Sequence, residues 1–172
     1  MSVTTRPTGT ATRVAAQSLA PSDLPAVQAM AARCSASTLR ARFLGYRHDA
    51  AHALSTGLHT RLPAGRIDLG VLDAGGDLVG IGSLIPASDQ LWEVALLVED
   101  RWQGHRVGSL LADALLAAAH AYRIDTVIAY SSPSTAVVPR LAAGWAVLVA
   151  GSHAGAYDGE YRLHVLPSPA AP

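Results

Sequence analysis

Residues 91–122 restrict this chain more than any other part of it. An apolar run, Leu91 to Val98, reads as a strand, and Val107 onward repeats apolar residues at helical spacing to about Tyr122. Between them lies Glu99-Asp-Arg-Trp-Gln-Gly-His-Arg-Val-Gly-Ser109. A strand that enters a helix through a short glycine-containing loop leaves the first amides of the helix without intrahelical partners. With the positive end of the helix dipole, they make a site for an anion. His105 and Arg106 stand beside that site, and an arginine can grip a phosphate with two parallel hydrogen bonds. Gly104 and Gly108, lacking a Cβ, let the backbone approach a ligand closely.

Two familiar phosphate loops are excluded. There is no Gly-x-x-x-x-Gly-Lys-Ser/Thr, and all 13 basic residues are arginine. There is also no Gly-x-Gly-x-x-Gly followed by an acid about twenty positions on. The run Gln103-Gly-His-Arg-Val-Gly108 instead resembles the acetyl-CoA pyrophosphate loop of the GNAT superfamily of N-acetyltransferases, Gln/Arg-x-x-Gly-x-Gly/Ala. Gln103 and Gly108 match, and Arg106 stands where the middle glycine would be. Glu-Val-Ala-Leu-Leu-Val (93–98) and Ser-Leu-Leu (109–111) look like the same family. Ser37-Thr-Leu-Arg-Ala-Arg-Phe43 resembles an element of its bacterial protein-acetylating branch. The alternative is a tight strand–helix turn whose glycines serve packing alone.

The resemblance implies an α+β fold (mixed α/β): a central mixed, mostly antiparallel sheet of six to seven strands with about four helices. It implies acetyl-CoA as co-substrate, held by Leu96, Leu97, Val98, Gln103, Gly104, His105, Arg106, Val107, Gly108, Ser109 and Ser132. It implies an amine acceptor, small molecule or protein, with direct transfer and no acyl-enzyme. A backbone N–H near Leu97 would face the developing oxyanion.

Glu93 is the expected general base. A carboxylate within an apolar strand is expensive unless something uses it, and desolvation by Trp92 and Val94 would raise its pKa toward neutrality, where a base works best. The alternative is a Glu93 that faces solvent or pairs with an arginine. Glu99 and Asp100 are weaker candidates for the base, since they fall where the loop begins and can simply be solvated. The tyrosine that many such enzymes use as general acid is replaced by Arg140. Tyr130, Ser131, Ser132 and Tyr157 are the possible substitutes. A catalytically silent CoA-binding regulatory domain of the same fold is therefore the competing reading.

The remaining chain reads as strands at 12–19, 66–73, 78–85, 126–131, 145–151 and 160–166. Helices are expected from Ser22, its N-cap, to Cys34, then at 35–46 under Ser35 or Ser37, and at 133–143 between Ser132 and Gly144. Val107, Leu110, Leu111, Ala114, Leu115, Ala118 and Tyr122 form the expected buried stripe of the long helix. Arg40, Arg42 and Arg47 are candidate acceptor contacts or a solvated basic face. The chain of 172 residues divides into a tail (1–11), one domain (12–166) and a second tail (167–172). Its formal net charge of zero does not favour nucleic acid or an anionic membrane. The lone Cys34 excludes an internal disulfide and reads as core. No metal site is expected, since the histidines are scattered. A cytoplasmic monomer or homodimer is expected.

Overall fold

The computed structural model describes residues 15–43, 54, 65–131, 137–142, 146–152 and 159–166. In chain order the elements are β1 (Ala16–Ser18), α1 (Leu24–Arg33), α2 (Ala36–Phe43), β2 (Ile67–Leu72), β3 (Leu78–Ser88), β4 (Leu91–Val98), α3 (Val107–Ala121), β5 (Thr126–Ser131), α4 (Val137–Ala142), β6 (Ala146–Ser152) and β7 (Gly159–Val165). Single 3-10 turns at Pro21–Asp23 and Asp100–Trp102 lead into α1 and follow β4.

The strands form one seven-stranded sheet in the order β1-β2-β3-β4-β5-β7-β6. Every neighbouring pair is antiparallel except β4–β5. The sheet is therefore mixed and mostly antiparallel, as the resemblance implied. Strand β4 lies at its centre, but only Leu97 of its eight residues is buried. Its apolar run signalled a central strand, and the opening beside it accounts for the exposure.

Each face of the sheet carries its own core. On one face α3 packs Val107, Leu111, Leu115 and Ala119 against Leu69, Val71, Leu84, Val127 and Leu163. The approach is close because β3 has no side chain at Gly80 or Gly82. A Cβ there would come within 2.7 Å of Val107 and 2.9 Å of Leu115, respectively. On the other face α1 packs Val27, Met30 and Ala31 with Leu19, Leu54, Ile81 and Leu97. Asp68, buried beside Arg66 and Ser83, is fully partnered: the guanidinium reaches it at 2.8 Å and the Ser83 hydroxyl donates to it at 2.6 Å. None of the described helices is long and apolar enough to cross a membrane.

Several local expectations shift. The α1 entrance is closed by Asp23, whose Oδ2 accepts the Ala20 N–H at 2.7 Å, and not by Ser22. The chain inserts a 3-10 turn first, so the α-helix starts one residue beyond Asp23. Ser35 does cap α2, accepting the Thr38 N–H at 3.2 Å. The α3 stripe is Val107, Leu111, Ala112, Leu115 and Ala119, and Tyr122 is 65 % exposed. Tyr122 is the C-cap, and Arg123 follows at φ 56°, so the chain has left the helical path where the stripe would have continued. The last helix is described over Val137–Ala142, within the expected 133–143. Ser132, Pro133, Gly144, Arg47 and residues 153–158 lie outside the described residues.

Candidate functional site

Strands β4 and β5 are paired over only two positions, Trp92 with Val127 and Glu93 with Ile128. Beyond Glu93 the two strands diverge, and a parallel pair that splays leaves one edge of each without a partner. A cleft of about 760 Å³ fills the gap. Its lining joins Glu93 to Val98 with Ser37, Thr38, Ala41 and Arg42 of α2, Gln103, Gly104, Arg106, Gly108 and Ser109 of the loop and α3, Tyr130 and Ser131 of β5, and Arg140 and Leu141 of α4.

The phase of β4 decides what its open edge offers. Glu99 donates its N–H to the Val79 carbonyl at 3.0 Å, so Glu99 faces β3. Amides alternate along an antiparallel strand. Leu97 and Ala95 therefore also face β3, whereas Val94 turns its N–H to β5 at the last pair, Glu93 with Ile128, and the N–H and C=O groups of Leu96 and Val98 face the cleft. The Gln103 amide, donating to the Val98 carbonyl at 3.2 Å from that side, agrees with this phase. An oxyanion donor near Leu97 is accordingly the neighbouring Leu96 N–H. Leu97 also borders the cleft, but it is 2 % exposed and belongs to the second core.

At the mouth, α3 begins without a side-chain cap. The Leu110 N–H bonds to the Arg106 carbonyl, while the amides of Val107, Gly108 and Ser109 have no acceptor among the described residues. Two backbone angles shape the turn: Gly104 at φ 78° and Arg106, the helix N-cap, at φ 66° and ψ 3°. Arg106 thus holds a left-handed conformation that glycine adopts freely, which is the physical sense of a glycine at this place in the pattern. A Cβ at Gly108 would meet nothing nearer than 4.0 Å, so within the chain this glycine is not forced by packing.

Two residues of the expected anion site do not turn their side chains into the cleft. The His105 ring is not in the cleft lining. It stands edge-on to Trp102, 6.0 Å between centroids, with Nδ1 3.0 Å from the Gln103 carbonyl. The positive φ angles on either side turn consecutive side chains to opposite sides of the loop. Val107 is 4 % exposed and supports the turn from below, in the α3 core.

Glu93 sits where the strands part. It is half-buried, borders the cleft, and has no ion pair among the described residues. Side chains alternate faces along a strand, so Glu93, Ala95 and Leu97 share the face covered by α1 and α2. Ile128 and Tyr130 of β5 share it too, by register. Tyr130 is 37 % exposed, whereas Ser131 is buried on the α3 face.

Glu99 corrects an expectation. It is 3 % exposed rather than solvated, and Arg33 and Arg101 both pair with it, Arg33 at 2.9 Å. Arg33 also donates to the Leu78 carbonyl at 2.7 Å, tying α1 to β3 and to the end of β4. Asp100 is exposed as expected, but it is not merely solvated. It accepts from the Ser35 N–H at 2.7 Å, the Ser35 hydroxyl at 2.6 Å and the Thr38 hydroxyl at 2.9 Å. These hydrogen bonds, chiefly those from Ser35, hold its carboxyl below the usual range. Nothing in the local sequence marks either role, since Arg33 and Ser35 lie some 65 positions away. Cys34 is half-buried against the second core, and burial, reinforced by the Asp100 and Glu99 charges, pushes its thiol up to about 11.

No protein-family profile matches the chain, and no curated protein matches it. Solved structures do. The GNAT domain of a Streptomyces lividans protein titled PAT superposes with a TM-score of 0.65 at 21 % identity, over 87 % of this chain and 88 % of that one. A ribosomal-protein-S5-alanine acetyltransferase from Vibrio fischeri gives 0.68 at 12 % identity, over 91 % and 94 %. This chain has the GNAT fold. A spermidine N-acetyltransferase from Vibrio cholerae, solved in complex with CoA and spermine, shares the GNAT fold at a TM-score of 0.67 and 13 % identity, over 89 % and 95 % of the two chains. The GNAT resemblance read from residues 91–111 therefore extends to the architecture of nearly the whole chain.

Proposed function

We propose that this protein is an acetyl-CoA-dependent N-acetyltransferase that moves an acetyl group directly onto an amine, with Glu93 as general base. The observation that supports this most is the parting of β4 and β5 at Glu93. One cleft has the capless start of α3 at its mouth and a carboxylate at its apex.

The diphosphate of acetyl-CoA binds the amides of Val107, Gly108 and Ser109 and the Arg106 guanidinium. The amide groups of its pantetheine arm add to the free edge of β4 beyond Val94, at Leu96 and Val98, as an extended peptide adds to a sheet edge. The acceptor enters on the α2 face. An amine arrives protonated at neutral pH, and Glu93, directly or through a water, removes the proton. The nitrogen lone pair then attacks the thioester carbonyl. The C–N bond forms, the oxygen takes negative charge beside the Leu96 N–H, and collapse breaks the C–S bond. As the amide forms, the nitrogen gives up its surplus proton, and the leaving thiolate takes up a proton in the same step. Of the residues considered for this step, Tyr130 shares both the cleft and the sheet face of Glu93, and we assign it the role.

The test is turnover of labelled acetyl-CoA against spermidine, a lysine peptide and free amino acids. Glu93→Gln, which keeps shape and loses basicity, is expected to lower kcat roughly 10²–10⁴-fold and to leave CoA binding unchanged. A wild-type protein that is stabilised by CoA yet acetylates none of these amines would favour the silent CoA-binding domain, a reading that Arg140 at the usual tyrosine place keeps relevant.

A further inference from the structure

The acceptor side of the cleft is walled by α2 through Ser37, Thr38, Ala41 and Arg42. This helix has eight residues and none of them is buried. Among the described residues, its contacts with the second core are those of Leu39 and Phe43, both half-buried. So short a helix is not stable by itself. Besides this packing, its start is held by a set of hydrogen bonds from the loop after β4.

Asp100 lies in the turn directly after β4, and its two carboxylate oxygens take three hydrogen bonds from the start of α2. Oδ2 accepts the Ser35 N–H, and Oδ1 accepts the hydroxyls of Ser35 and Thr38. The donors are consistent along the chain of bonds. The Ser35 hydroxyl, having donated to Asp100, accepts the Thr38 N–H and so caps the helix. The Thr38 hydroxyl, having donated to Asp100, accepts from the Gln103 amide at 3.1 Å, and that same amide donates to the Val98 carbonyl. One carboxylate and one carboxamide, both in the loop between β4 and α3, thereby fasten the acceptor wall to the strand edge and to the anion turn.

We infer that Asp100 is a positioning residue for the acceptor. It touches neither substrate, but sets the distance between the α2 wall and Glu93. The inference rests on the acetyltransferase reading for its kinetic consequence, though not for its structural one. Removing the carboxylate frees α2 to shift on the sheet, and the acceptor loses a preformed wall while the donor site stays intact.

The experiment uses the full chain, with Asp100→Ala as the first variant and the double change Ser35→Ala with Thr38→Val as the second. Kinetics use whichever amine among spermidine, a lysine peptide and free amino acids the wild type acetylates fastest. Each variant is expected to raise KM for that amine roughly five- to tenfold, the scale of one lost helix cap. KM for acetyl-CoA should stay within about twofold. Combining all three changes should add little, because they break one set of bonds. Amide hydrogen exchange, read separately, should quicken in 37–43 and not in 107–121. An unchanged acceptor KM with unchanged exchange in α2 would overturn the inference, as would equal rises in both KM values. A wild type that acetylates no amine would count against the proposed function only, and the exchange comparison would still decide whether Asp100 holds the helix.

Discussion

Arg106 is a non-glycine residue at φ 66° and the N-cap of α3, and substituting it separates two physical effects of opposite sign. A side chain with a Cβ costs about 1–2 kcal/mol in the left-handed region. Glycine removes that strain but adds freedom to the unfolded chain, at about 0.5–1 kcal/mol. The Arg106 side chain is exposed and has no ion pair among the described residues, so truncating it removes no other known support. Arg106→Gly is therefore expected to stabilise the protein by about 0.5–1 kcal/mol, which for a chain of this size raises Tm by roughly 1–4 °C. Arg106→Ala keeps the strain and serves as the control, with a Tm near that of the wild type. Affinity should move the other way. Both variants lack the guanidinium, and loss of a charge-assisted contact to a phosphate costs about 1.5–3 kcal/mol, or a tenfold or greater weakening of CoA binding. Differential scanning calorimetry without ligand and titration calorimetry with CoA measure the two effects separately. An Arg106→Gly protein that melts no higher than Arg106→Ala would refute the backbone reasoning. Unchanged CoA affinity in both variants would refute the placement of the diphosphate.

Two further outcomes follow from buried groups elsewhere. Arg33→Ala leaves Glu99, 3 % exposed, with Arg101 alone, and should lower stability by about 1–3 kcal/mol in a urea titration, whereas Arg101→Ala, whose side chain is 58 % exposed, should cost less than about 1 kcal/mol. Equal effects would mean that Arg33 is not the principal partner. Cys34, with its thiol raised to about 11, is protonated at neutral pH, so iodoacetamide should modify it far more slowly than free cysteine at pH 7.5, with the rate still rising beyond about pH 10, where the free thiol is levelling off. Rapid alkylation at pH 7.5 would show that burial does not act on this thiol.

The central strand and the loop after it were legible because their signals are local. Leu91–Val98 and Thr126–Ser131 are the strands that the apolar runs mark, to the residue. The same locality placed Gln103, Gly104, Arg106, Gly108 and Ser109 together beside Glu93 in one cleft. The direction of the His105 ring, toward Trp102 and outside the cleft lining, was not legible, because it sits between two positive φ angles of which the sequence carries no record. Tyr122 was misplaced for a related reason, since an apolar residue at helical spacing says nothing of where the helix stops. Glu99 and Asp100 were read as solvated because their partners come from α1 and the start of α2, distant in sequence.

By itself, then, the amino-acid sequence determined where a strand turns into a helix and which residues surround that turn. These depend on side-chain periodicity and backbone preference within some twenty positions. Only the tertiary structure decided that β4 and β5 part after Glu93, that the free amides belong to Leu96 and Val98, and that Asp100 bonds the start of α2. Each of those depends on strand register or on a hydrogen bond between distant segments, and such pairings are set by packing of the whole chain, which no short stretch of residues encodes.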